Sequence, residues 1–529
     1  MLKSKLIKIL LGSAAGMIAV RGAQAADSPA KLRLVEYVKV CSVYGAGFYY
    51  IPGSDTCMKL GGYIRADVLS NTNSDDNGNY TGAGAAKNRF TNAYIMRARL
   101  DQTLDTRTAT EYGVVRTFAE LGLTWTTDTY AGNGGGGTVY ANNGQNNAST
   151  GLVDGGQIGV WYAFIQFAGF TMGKAQSQFS APWANFPGNN FNGLVGGGGT
   201  VTGVNQFAYT ADFGQGITAT ISAQDQTQYY QPGTLNANIV SVTSPFGTNN
   251  YAGTVAPDLV ATVKVDQAWG MIQGSIAAHD NHAAYYGGAP VGGAAIPDSG
   301  TELAGHPDDK WGWAAALALS IKNLPTGKGD TLNVQGIYTN GATRYNIQDQ
   351  SQAANMVLYG SGGDGYYQSL GYGIAPDSVF GIAPDGTRIG LQLISTWGFR
   401  GAYIHNWNPY WRTSLYGAYG AVSYNSTAKA LLCGVNGVGG TFRTNATIGF
   451  RGTTCNPDYN IGQIGLNTRW TPVKNLSFVA DLTYTMLDQK MVGSISGGSV
   501  AIGKPSGSGL YQLKDTNSVI LLLRAQKNF

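Results

Sequence analysis

Only one stretch has residue types and spacing that suggest metal chemistry. Of the four histidines, His279, His282, His306 and His405, the run His279-Asp280-Asn281-His282 could be drawn as a ligand pair. It brings no third ligand, and a zinc site needs three or four. No metal and no cofactor are expected. A hydrolase would need a serine with a positioned base and an orienting partner, and no segment proposes that trio. Residues 134–137 and 196–199 are glycine runs, but neither carries the Lys-Ser/Thr of a phosphate loop or precedes a helix. The chain is not read as an enzyme. What does recur is charge at a spacing of two: Arg65 and Asp67, then Arg97, Arg99 and Asp101, and, four apart, Arg116 and Glu120. Residues two apart on a strand share one face. Such rows break no bond; they make a charged wall that sorts ions and polar solutes.

The elements that hold those rows alternate with period two. Leu60, Ile64, Ala66 and Val68 oppose Lys59, Tyr63, Arg65 and Asp67; Tyr94, Met96, Ala98 and Leu100 oppose Arg97, Arg99 and Asp101; Val115, Thr117, Ala119 and Leu121 oppose Arg116, Phe118 and Glu120. Similar segments are read at 160–167, 204–211, 216–225, 259–267, 270–279, 311–321, 331–339, 390–404, 411–420, 462–470, 477–487 and 518–529. Their length of about ten residues suits a tilted membrane-crossing strand. Asp212-Phe213-Gly214-Gln215-Gly216 and Thr471-Pro472-Val473-Lys474-Asn475 read as tight turns, whereas 126–156, 226–256, 281–308, 342–388, 423–460 and 489–510 read as long loops. Alternation of short turn and long loop is the rhythm of an up-and-down antiparallel barrel, not of a sandwich. Trp125, Trp311, Trp313, Tyr403, Trp411 and Trp470 are candidates for its aromatic girdles.

One stretch, residues 160–199, breaks the rhythm. Trp161, Ala163, Ile165 and Phe167 alternate with Tyr162, Phe164 and Gln166, and from Lys174 on the chain is Gln, Ser, Asn, Gly and Pro with Phe179, Trp183, Phe186 and Phe191. A connection that long without periodicity is functional or disordered. The expectation is a wall strand followed by a loop folded into the lumen, with Lys174, Trp183 and Phe186 lining it beside Arg65, Arg97, Arg99, Arg116, Asp67, Asp101 and Glu120. No Asp or Glu lies between Lys174 and Gln206.

The N-terminus is a targeting segment. Lys3, Lys5 and Lys8 precede an apolar stretch at 9–20, and Ala23-Gln24-Ala25 supplies the small residues of a cleavage site. The mature chain is expected to begin at Ala26. No later run of 18 uncharged apolar residues offers a membrane helix. Only 12% of residues are charged, 77 are Gly and 31 are Tyr, and mean hydropathy is -0.11, as for a chain that hides its apolar face as every second residue. A net charge of +4 is too small to argue for nucleic acid. Export makes disulfides plausible among Cys41, Cys57, Cys433 and Cys455; chain order suggests 41–57 and 433–455, although four cysteines permit three connectivities.

The run Val35-Glu36-Tyr37-Val38-Lys39-Val40-Cys41, the run Tyr44-Gly45-Ala46-Gly47-Phe48-Tyr49-Tyr50-Ile51-Pro52-Gly53, Cys57, and Gly62-Tyr63-Ile64-Arg65 resemble the N-terminus of alphaproteobacterial (Rhizobiales-type) porins. Ala163-Phe164-Ile165-Gln166-Phe167 with Gly173, and the terminal Arg524-Ala525-Gln526-Lys527-Asn528-Phe529, resemble the same family. The resemblance implies an all-β transmembrane barrel of 16 strands in the outer membrane of a Gram-negative bacterium. It would assemble as a homotrimer in outer-membrane lipid and pass small hydrophilic solutes by diffusion. Residues 1–25 would be the signal peptide, 26–58 a disulfide-tied segment and 59–529 the barrel. The alternatives are a barrel specific for a sugar or oligopeptide and, further off, an adhesin or barrel enzyme. Loops of the resembling family generally place carboxylates opposite arginines. Their absence here leads to an expected basic arc facing an uncharged loop, which would favour anions; if instead each arginine is paired with a nearby acid, the pore is nearly neutral.

Overall fold

Segments whose every second residue is apolar can bury one face in lipid only if no backbone edge is left open, and closing the sheet on itself satisfies that condition. The computed structural model describes residues 39–71, 94–126, 157–183, 194–197, 203–225, 233–239, 247–287, 290–291, 294–295, 302–347, 356–360, 369–383, 385–434, 440–444, 448–495 and 510–529. The expected signal peptide lies outside them. Sixteen strands among the described residues form the barrel: β1 Thr56–Asn71, β2 Tyr94–Thr110, β3 Gly113–Thr126, β4 Gln157–Phe167, β5 Phe170–Ala175, β6 Val204–Asp212, β7 Ile217–Gln224, β8 Asp258–Gln267, β9 Gly270–Asn281, β10 Lys310–Lys322, β11 Thr331–Asn340, β12 Ser395–Asn408, β13 Trp411–Ser423, β14 Tyr459–Val473, β15 Leu476–Gln489 and β16 Thr516–Asn528. Neighbours pair antiparallel, and β16 pairs with β1 to close the ring. Short turns join β2–β3, β4–β5, β6–β7, β8–β9, β10–β11, β12–β13 and β14–β15, and long connections lie at the other end. The boundary expected at 58/59 falls inside β1.

Two strand expectations need correction. Residues 170–175 are a strand of their own, turned back from β4 by Ala168 and Gly169, both at positive φ (48° and 86°). That is the backbone of a tight two-residue hairpin turn, normally marked by Asn or Gly at the first position; Ala168 hides it. The segment expected at 390–404 is two strands. Arg388–Leu393 pairs with Ser378–Ile382 above the barrel, and the barrel strand begins only at Ser395.

The outward face is apolar, with Ile64, Phe207, Ile221, Ile276 and Leu317 all exposed. Rings cluster toward both ends: Trp411 stacks on Trp470 at 5.8 Å near the short turns, and Trp313 meets Tyr338 at 5.2 Å near the long loops. Both disulfides join the cysteines that are neighbours in sequence, Cys41–Cys57 and Cys433–Cys455. The first ties a turn whose Phe48 packs under Arg107 and Lys59.

The segments read as plain loops at 342–388, 423–460 and 489–510 hold structure of their own. Met356–Gly360, Ser369–Ile374, Tyr511–Leu513, Val492–Ile495 and Arg451–Thr454 form a small sheet, and Ser426–Cys433 is a helix capped by the Asn425 side chain on the Ala428 N–H (2.8 Å). Leu235, Ile374, Val379, Leu431, Phe442 and Tyr511 share one buried apolar core. The long-loop end of the barrel therefore carries a packed cap.

Candidate functional site: the barrel lumen

Strand β4 carries the feature that roots the lumen loop. Glu120 faces Tyr162 and Leu121 faces Val160, so Trp161 is an extra residue, a β-bulge. The bulge turns Trp161 inward beside Tyr162, not onto the outward face with Ala163 and Ile165 as regular alternation predicts. Gly122 and Gly159 leave the notch its indole fills, since a Cβ at Gly122 would lie 2.5 Å from the Trp161 Nε1. The bulge also frees two carbonyls from the ladder. Lys174 Nζ donates to Val160 O (2.6 Å) and the Gly203 N–H to Trp161 O (2.8 Å), pinning both ends of the 176–203 connection to one spot on the wall.

The connection's described residues meet two parts of the barrel wall. On the near side Ser177 Oγ donates to Gln224 Oε1 (2.8 Å), Thr262 Oγ1 donates to Gln178 O (2.8 Å), and Phe179 is buried edge-on against Tyr345 at 4.6 Å. On the far side the Val195 N–H donates to Gln463 Oε1 and the Gly196 N–H to Asn346 Oδ1, both at 3.0 Å, while Arg400 reaches Leu194 O at 3.4 Å. Gly196 lies so close to β12 that a Cβ there would be 2.3 Å from the Phe399 carbonyl carbon, at a φ of 89°. The segment thus touches inward residues of β7–β9 at one end and of β11–β14 at the other. Trp183 packs with Ala181, Met271 and Ala318, and Phe186 lies outside the described residues.

The charged rows line the wall formed by β16, β1 and β2. Arg524, Asp67 and Arg97 stand directly opposite one another, and Arg65 faces Arg99 one pair along. Asp67 accepts from Arg524 (2.7 Å) and Arg97 (3.1 Å) and lies 3.4 Å from Arg65. Arg99 lies over the Trp161 ring at 4.3 Å and donates to Thr124 Oγ1 (2.8 Å). Asp101 and Glu120 share the inward face on neighbouring strands β2 and β3, one inward pair apart along the ladder. Arg116 pairs with Asp105 at 3.0 Å and bonds Gln166 at 2.9 Å. Neither sequence alternative describes this wall completely: the acids are present, but one carboxylate serves three guanidiniums.

A match to a protein-family model described as the Porin subfamily covers residues 28–520. The chain belongs to that porin subfamily. Porin Omp2b of Brucella suis biovar 1 is 33% identical over 273 residues, as is Porin Omp2b of Brucella melitensis biotype 1; the matched region is 51% of this porin and 64% of those relatives' length. The outer membrane channel DcaP of Acinetobacter baumannii shares the fold with a TM-score of 0.53 at 15% identity, over 91% of this chain and 99% of that one.

Three parts of this porin's lumen are assembled only by the fold, although period two already put Phe118 on one strand's face and Tyr162 and Phe164 on another's. Arg400, Arg412, Arg469 and Arg524 extend the basic wall, with Arg412 opposite Arg469, but lie more than 300 residues from Arg97. Phe118, Tyr162 and Phe164 form an inward aromatic row, Phe118 stacking on Phe164 at 5.3 Å. His279, drawn above as half of a metal pair, is instead a buried clamp. Its Nδ1 meets Asp258 Oδ1 at 2.8 Å, its Nε2 lies 3.7 Å from Asp377 Oδ2, and Tyr345 OH donates to Asp258 Oδ2 at 2.5 Å. Asp377 also accepts from the Gly233 N–H (2.8 Å) and from the Thr343 N–H and Oγ1. Burial works to raise the Asp377 carboxyl, but His279, Gly233 and Thr343 hold it below the ordinary carboxylate range. The clamp joins the barrel wall to Thr343 and Asp377 and, through Tyr345, to Phe179 of the 176–203 connection.

Proposed function

We propose that the protein forms a passive, water-filled channel through the outer membrane and admits small hydrophilic solutes and ions by diffusion. The observation that carries this is the 176–203 segment, braced on β7–β9 and β11–β14 and leaving the arginine wall of β16, β1 and β2 across from it. An aqueous lumen lets a polar solute cross hydrocarbon without shedding its hydration, and a narrowed zone with charge on one wall selects by size and sign. Arg65, Arg97, Arg99 and Arg116, with Asp67, Asp101 and Glu120, act as lining groups. Lys174 roots the loop, and Trp183 packs its near limb. Residues 1–25 serve as a cleaved export signal and 26–58 as an N-terminal segment tied by Cys41–Cys57. The working assembly is a homotrimer.

Reconstitution into planar bilayers tests this. The expected record is large ohmic steps, with three equal closing sublevels from a trimer. A correctly folded preparation that inserts and stays electrically silent would rule out the channel.

A further inference from the structure

Beside the arginine wall of β16, β1 and β2, inward residues of β3–β9 and the near limb of the 176–203 segment line a cavity of about 530 Å³. One wall is the half-buried aromatic row Phe118, Tyr162 and Phe164. The Arg116 guanidinium lies over the Phe118 and Phe164 rings (5.2 and 5.6 Å), and the rings themselves line the cavity. Inward positions of a membrane barrel are ordinarily polar because they face water, so three adjoining rings there require a reason.

The rest of the lining supplies one. Thr218, Thr220, Gln166 and Gln176, joined by Ser180 and Gln273, present neutral hydroxyls and amides, able to donate and accept. Lys264 and Glu120 are the charged side chains among the described lining residues. An apolar ring surface with convergent polar groups, in a volume within the range of about 300–1,000 Å³, is the make-up of a small-molecule site. A dicarboxylate or phosphate would find its countercharges on the arginine wall instead. A free sugar has the matching surface, with flat C–H faces for the rings and a rim of uncharged hydroxyls for Thr and Gln.

Resting on the channel reading above, we propose that this cavity is a binding subsite for neutral saccharides, with Phe118, Tyr162 and Phe164 as its stacking platform. A solute held there shares the lumen with the ion path, so its dwell is readable as current.

The test is single-channel recording of the full chain with maltotriose as probe, paired with titration calorimetry on the detergent-solubilised barrel. Concentration-dependent interruptions of the open current are expected, with half-saturation in the millimolar range. Phe118→Ala and Phe164→Ala should each raise that concentration about tenfold, while Tyr162→Phe, which keeps the ring, should leave it within about twofold. Heat-modifiable gel mobility verifies that each variant still forms a barrel, and Phe118→Leu serves if the alanine does not. An open, quiet current at 100 mM maltotriose overturns the subsite and leaves the channel standing. Absence of current with binding heat that the ring variants abolish overturns the channel and supports the subsite. Equal interruption in wild type and ring variants, or stronger block by glycylglycine than by maltotriose, overturns the saccharide assignment.

Discussion

Replacing Asp67 by asparagine keeps the shape of the seam and removes the carboxylate on which Arg524, Arg97 and Arg65 converge at 2.7, 3.1 and 3.4 Å. The cluster goes from three positive and one negative charge to three positive, a gain of one unit on the lumen wall. An ion passing about 10 Å away in water feels one extra charge as about 0.4 kcal/mol. Screening reduces this to about 0.3 kcal/mol in 0.01 M salt, about 0.15 kcal/mol in 0.1 M and almost nothing in 1 M. An anion gains what a cation loses, so the anion-to-cation permeability ratio should rise about threefold in 0.01 M KCl, about 1.7-fold in 0.1 M, and not measurably in 1 M. Reversal potentials across a KCl gradient read this directly. The same change leaves buried guanidiniums without their carboxylate, a loss of about 3–5 kcal/mol, visible as a lower unfolding temperature of the barrel on heated gels. A shift toward cations, or an equal shift at all three salt concentrations, would refute the electrostatic account.

Two further outcomes are expected. With cysteines placed singly along β4, those at Trp161 and Tyr162 should both react with a small charged thiol reagent from the aqueous side, and those at Val160 and Ala163 should not; strict alternation through 160–163 would contradict the bulge. Asp377 titrates below the ordinary carboxylate range in the folded state, so its contribution is complete above about pH 4 and is lost as pH falls through its folded value. Limited proteolysis across a pH series should show residues 369–383 protected at neutral and mildly acidic pH and released only in stronger acid, with the barrel's circular dichroism unchanged; release between pH 5 and 7 would count against the clamp.

Wherever a strand's neighbours were regular, the sequence already showed the barrel, because lipid on one face and solvent on the other impose period two on the residues themselves. What it concealed were places where the backbone departs from that period. Ala168 adopts a turn conformation without a turn residue, so β5 merged into the loop. The bulge at Trp161 moved one indole from outside to inside, and no side-chain pattern announces an extra residue. At 388–408 the alternation continues while the pairing partner changes at Ile394, a change only the third dimension records. The site divided in the same manner. Arg65, Asp67, Arg97 and Arg99 are close in sequence and were legible as rows. Arg524 meets Asp67 from 457 residues away, and His279 finds Asp258 and Asp377 on separate elements, so their roles depend on topology. The cap core was hidden among glycine and serine because its described apolar residues come in ones to threes from separate connections and meet residues of the strands below only in the folded chain.

The seam between β16 and β1 also answers a question of copying length. The last strand reaches its place on a connection spanning 490–515, too long to dictate register as a tight turn would, and no covalent link joins it to β1. A slip of one residue would turn leucines into the lumen, but a slip of two preserves every inside and outside position, and hydrophobic patterning is blind to it. The ion cluster is not. Two residues at about 3.4 Å each would carry Arg524 about 7 Å from Asp67, to stand opposite Arg65 in one direction or Leu69 in the other. Either way a buried guanidinium loses its counterion. The charge row therefore acts as a vernier on the circumference, fixing the register at which the ring closes.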